Sequence, residues 1–131
     1  MAAYPLGALV AGLSAGLLIR RFGSARVAIG ATVLASAGFV AAGAAPIWAA
    51  LAAGLFVAGA MDAITDVAQN SHGLQVQGLY GKSILNSFHA VWSLGAVLGG
   101  IMGAGLATLG LSTTVHMLVS AVVFSGAALL A

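Results

Sequence analysis

Charge is missing from three long stretches of this chain: residues 1 to 19, 27 to 61 and 83 to 131 contain no Asp, Glu, Lys or Arg. Each run is as long as or longer than the ~20 residues a helix needs to cross the hydrocarbon core of a bilayer. A soluble domain built from them would have no polar outer face to present to water. Only Arg20, Arg21, Arg26, Lys82, Asp62 and Asp66 are charged, and 62% of the 131 residues are hydrophobic. That balance is far from the average for soluble domains, where about a quarter of residues are charged. The expected fold class is therefore an all-α membrane protein. Strands are excluded because a membrane barrel alternates apolar and polar residues along each strand, and these runs do not.

The runs divide where glycine, proline and polar residues cluster, at 20 to 26, 43 to 46, 73 to 83 and 110 to 114. Five spans result, at about 2 to 19, 27 to 43, 47 to 71, 85 to 108 and 113 to 131, treated as a single transmembrane domain over residues 1 to 131. The first span has no basic segment ahead of it and is followed by Arg20 and Arg21, so it reads as a real span and not as a signal peptide. Because successive spans alternate direction, the loops at 20 to 26 and 73 to 83 share one side of the membrane. All four cations belong to them. The positive-inside rule makes that side cytoplasmic and places the N-terminus outside.

Composition also removes several functions. With no cysteine there is no thiolate site, and no His pair stands at metal-ligand spacing, so no metal is expected. No glycine-rich phosphate loop follows a strand, which leaves nucleotide cofactors without support. Four cations without interleaved surface aromatics form no nucleic-acid patch. No cofactor is expected, and the chain is not read as an enzyme.

Against this background Asp62, Asp66 and Asn70 stand out, spaced by four along the third span and continuing a stripe through Gly54 and Ala58. A carboxylate at the bilayer centre costs roughly 2.5–3.5 kcal/mol on insertion scales, so such an acid normally faces a cavity, a partner or a proton path. The fourth span opens with further polar residues: Asn86, His89 and Ser93 fall on one helical face, with Trp92 beside it. Small residues recur every four positions at Gly12 and Gly16 and at Gly95, Gly99 and Gly103, a spacing that lets helices pack closely but names no function. His116 is accounted for by interfacial solvation.

The stretch Gly16-Leu-Leu-Ile-Arg-Arg-Phe-Gly-Ser-Ala-Arg26 resembles the loop between helices two and three of the major facilitator superfamily, whose pattern is G-x-L-a-D-R-x-G-r-R. Gly16, Leu18, Arg21 and Gly23 match, Arg26 falls one place late, and Arg20 stands where the family has an acid that contributes to a cytoplasmic gate. Asp66-Val-Ala-Gln-Asn70, followed by Ser87-Phe-His-Ala-Val-Trp-Ser-Leu-Gly95, resembles helices four and five of the fucose-permease-like branch. The resemblance implies that the chain covers helices two to six of a twelve-helix fold, within its N-terminal six-helix half. It implies a proton-coupled transporter of a sugar or similar small polar solute, with Asp66, and Asp62 beside it, in proton coupling. Asn70, Asn86, His89 and Trp92 would surround the solute, and Gly16, Arg20, Arg21, Gly23 and Arg26 would form the cytoplasmic gate loop. The expected setting is a plasma membrane, the inner membrane of a bacterium. The expected partners are lipid, protons, the solute, the missing first helix and the missing C-terminal half. Two other readings remain open: a small interaction or scaffold protein packing through its glycine face, and a cation carrier using Asp62 and Asp66.

Overall fold

The computed structural model describes residues 2–130, and those residues form six helices and no strand. They are α1 (Ala3–Gly12), α2 (Ala15–Phe22), α3 (Ser24–Gly43), α4 (Trp48–Tyr80), α5 (Leu85–Thr108) and α6 (Thr113–Leu130). Four of these, α3 to α6, are long and apolar enough to cross a membrane, and α1 with α2 makes a fifth span when the pair is taken together. The chain is an all-α, multi-pass membrane protein. The expected end of the last span at Ala131 lies outside the described residues.

Two helices depart from the spans read in the sequence. The first span is broken, with α1 and α2 meeting at 53°. At the break the Ser14 amide bonds Ala11 O at 2.9 Å and the Ser14 hydroxyl donates to the same oxygen at 2.7 Å. A side chain that competes for a helix carbonyl bends the backbone there. The third span does not stop near residue 71 but continues as α4 to Tyr80. At ~1.5 Å per residue its 33 residues reach ~50 Å, well beyond a ~30 Å hydrocarbon core. The segment 73 to 83 is thus mostly helix, and the connection to α5 shrinks to 81–84. Gly81, at φ +64°, ends α4 in the left-handed conformation that costs glycine least.

The core is built almost entirely from small residues. Ala31, Ala35, Ala42, Ala58, Ala60 and Ala68 are buried, with Val27 and Ile64. Lipid tails are as apolar as leucine side chains, so helices in a bilayer gain more from close backbone contact than from burying large groups. The α3–α4 contact shows this directly. A methyl group added at Gly38 would meet the backbone of Ala58 at 2.8 Å, and one at Gly54 would meet that of Ala42 at 2.7 Å. Between α1 and α4 the approach is closer still, because a methyl at Gly7 would collide with Phe56 O and one at Gly59 with Tyr4 O.

Helices α5 and α6 have no buried residue. Nevertheless α6 lies along α3, joined to it by Thr114, whose hydroxyl donates to Gly43 O at 2.8 Å. The position of α5 is different. Its first turn meets α4, where a methyl on Gly73 would contact Phe88 and Leu85, and its Gly103 lies against His116 of α6. A methyl group added at Gly95 or Gly99 would meet no other helix within 4 Å. The helix is held near its two ends and open between them.

Candidate functional site

The stripe of Gly54, Ala58, Asp62 and Asp66 leaves the helix interface as it climbs. Four residues make slightly more than one turn, so each step rotates the face by ~40° and the three steps by ~120°. Gly54 and Ala58 are buried against α3, whereas Asp62 and Asp66 are exposed. Measured from Trp48, Asp62 lies ~21 Å along α4, Asp66 ~27 Å and Asn70 ~33 Å. Within a ~30 Å core that starts near Trp48, Asp62 is the deeper acid and Asp66 approaches the basic end.

Each acid has a neighbour of its own. Asn70 Nδ2 donates to Asp66 Oδ1 at 3.2 Å, a contact between residues one turn apart on the same helix. Asp62 has the Tyr4 hydroxyl of α1 beside it. The Tyr4 ring in turn stacks on Phe39 of α3, with centroids 6.0 Å apart and planes inclined at 30°. Asp62 also borders a cleft of about 360 Å³ between α3, α4 and α6, whose walls include Phe39, Thr65, Ser120 and Phe124. Thr65 Oγ1 is buried and has no hydrogen-bond partner among the described residues. Neither Tyr4 nor this cleft is signalled by the spacing of charged residues, since Tyr4 comes near Asp62 only through the α1–α4 glycine contact.

The polar residues of α5 are all exposed. His89 Nδ1 lies 2.9 Å from Leu85 O, a contact that requires hydrogen on Nδ1 because a carbonyl only accepts. Ser93 Oγ donates to His89 O at 2.9 Å. Asn86 is exposed, and Trp92 is 74% exposed. Among the described residues no hydrogen bond joins this group to Asp66 or Asn70, so the structure does not assemble them into one pocket.

The gate-loop residues lie in α2, at Gly23 and in the first turn of α3. Arg20 and Arg21 occupy the last turn of α2, where a cation complements the negative end of the helix dipole. The Arg21 guanidinium lies 5.3 Å from the Phe22 ring centroid. Gly23, at φ +85° and ψ +149°, closes α2 and opens α3 in one residue. Gly16 faces open space. Arg26 sits in the first turn of α3 and borders a shallow groove with His72 and Gln75 of α4. Ser24 Oγ and His72 Nδ1 are 3.3 Å apart across the same junction. The extension of α4 beyond residue 71 is what brings His72 and Gln75 to this turn.

Comparison with known proteins adds one relation to this geometry. A protein named "Uncharacterized transporter y4wD", from Sinorhizobium fredii (strain NBRC 101917 / NGR234), is 37% identical to the chain over 121 residues. This chain is similar to a transporter. The match covers 92% of the chain and 32% of that protein, so the chain spans about a third of the relative's length. No protein-family model matches the chain, and no solved structure does.

Proposed function

We propose that the chain is part of a secondary active transporter of the major facilitator kind, coupling protons to movement of a sugar or similar small polar solute by alternating access. The observation that carries the reading is the open face of α4, where Asp62, Asp66 and Asn70 stand on a span that has no other charge between Trp48 and Tyr80. Similarity to a protein named as a transporter supports it. Asp66 is the proton carrier and Asn70, already bonded to it, reports the carboxylate's state to the solute. Asn86, His89 and Trp92 of α5 contribute once a further helix and a second half of the transporter close over the face that α5 leaves open. Proton and solute couple when both favour the same conformation of the bundle, which a carboxylate close to the solute achieves.

In the proposed orientation the α2–α3 turn and Lys82 face the cytoplasm of a bacterium, with the positive-inside bias as support. The test is accumulation of labelled sugars by proteoliposomes of the full-length transporter under an imposed proton gradient. Asp66→Asn should abolish gradient-driven accumulation and spare solute exchange. Accumulation equal to that of the unmodified protein would remove Asp66 from the mechanism. A protein that only packs against partners would tolerate Asp62→Asn and Asp66→Asn together, so the double variant separates the scaffold reading from transport.

A further inference from the structure

The cleft between α3, α4 and α6 is distinct from the Asp66–Asn70 pair and from the polar start of α5. Its volume of about 360 Å³ falls within the range of small-molecule sites, which are mostly apolar and carry a few placed polar groups. Among the described residues Asp62 is the only charged one in the wall, and Ser36 and Ser120 bring hydroxyls. Thr32 also borders the cleft, but its hydroxyl hydrogen goes to Ala28 O at 2.9 Å, so it offers the cleft only acceptor lone pairs. Among the described residues the wall contains no Lys, Arg, His, Asn or Gln. Phe39 and Phe124 supply aromatic surface, and Tyr4 stacks behind Phe39. Thr65 borders the same space, but its Oγ1 is turned out of reach of the cleft.

An anionic ligand would meet Asp62 with no cation to offset it, since the four basic residues lie in or beside the α2–α3 and α4–α5 turns. A neutral polyol could bond to the serine hydroxyls but would leave the Asp62 carboxylate without a counter-charge. We propose that the cleft binds a protonated amine with a compact apolar body, its ammonium directed at Asp62 and its body placed between Phe39 and Phe124. Ring faces attract cations within about 6 Å, and the attraction strengthens when the cation is removed from water. The inference stands on the cleft alone and does not require that the chain transports anything.

The experiment uses the 131-residue chain in detergent micelles, titrated calorimetrically with benzylamine and, separately, with benzyl alcohol, which keeps the ring and replaces the ammonium by a hydroxyl. Benzylamine should bind saturably, and benzyl alcohol about tenfold more weakly or worse, the factor expected when one charge-assisted contact is lost. Asp62→Asn should weaken benzylamine by a similar factor and leave benzyl alcohol unchanged. If Asp62→Asn binds benzylamine as well as the unmodified chain, the proposal fails. It fails equally if both probes bind alike, because the cleft is then an apolar slot of the sort another helix would occupy. Circular dichroism of each variant separates loss of binding from loss of fold.

Discussion

The Oε1 atom of Gln77, in the last turn of α4, accepts the backbone hydrogen of Ile84 at 3.0 Å and that of Leu85 at 3.5 Å. The first amides of a helix have no partner within it, and a side chain from the preceding helix here takes that role for α5. Gln77→Ala should cost about 1 kcal/mol at this junction, the typical net value of one such bond. Hydrogen exchange at the amides of residues 84 and 85 would then quicken by roughly fivefold. Unchanged exchange would show that the turn is held without Gln77.

Close approach of α1 to α4 depends on two glycines. Gly59→Ala places a methyl against Tyr4 O and should destabilise the bundle by about 1–3 kcal/mol, as expected of overpacking. Gly30→Ala, in α3, meets nothing within 4 Å and should instead stabilise that helix by roughly 0.5–1 kcal/mol. Thermal unfolding of both variants in one detergent gives the contrast, and equal shifts would contradict the packing described for α1.

Gly23 occupies a backbone conformation open to glycine and hardly to other residues. Gly23→Ala should cost about 1–3 kcal/mol, lower the unfolding temperature and loosen the α2–α3 turn. Proteolysis at Arg20, Arg21 and Arg26 reads the loosening. A variant as resistant as the parent would mean that the turn adopts another shape.

Thr114 ties α6 to α3 through Gly43 O. Thr114→Val removes the bond and should cost about 1 kcal/mol, while Thr114→Ser should restore it. Paired labels on Gly43 and Met117, neighbours across this contact, should separate in the valine variant only.

Number and nature of the spans were legible because the absence of charge over whole runs admits few alternatives. The bend at Ser14 was not, since a serine in a helix bends it only when its hydroxyl takes a carbonyl, and the sequence cannot say whether it will. The reach of α4 to Tyr80 was hidden because Gly73 and Gly78, together with the polar Gln75 and Gln77, read locally as a loop. In the fold Gly73 accommodates Phe88 and Gln77 caps α5, so residues suited to a turn serve contacts between helices instead. The site divides the same way. Spacing by four puts Asp62, Asp66 and Asn70 near one another, and the Asp66–Asn70 bond follows directly from that spacing. Tyr4 and Thr65 acquire their neighbours from the crossing of separate helices, for which a lone tyrosine or threonine carries no local signal.

Because α5 is anchored near its ends and bare along its middle, its inclination answers to its surroundings more than to its neighbours in the chain. Its 24 residues span ~36 Å, against a hydrocarbon core of ~30 Å, and a helix that exceeds the core accommodates the difference chiefly by tilting. Thickening the bilayer with longer acyl chains should therefore bring α5 upright while α3 and α4, clasped through Gly38 and Gly54, keep their mutual angle. The lipid would then set how far Trp92 stands from Asp66.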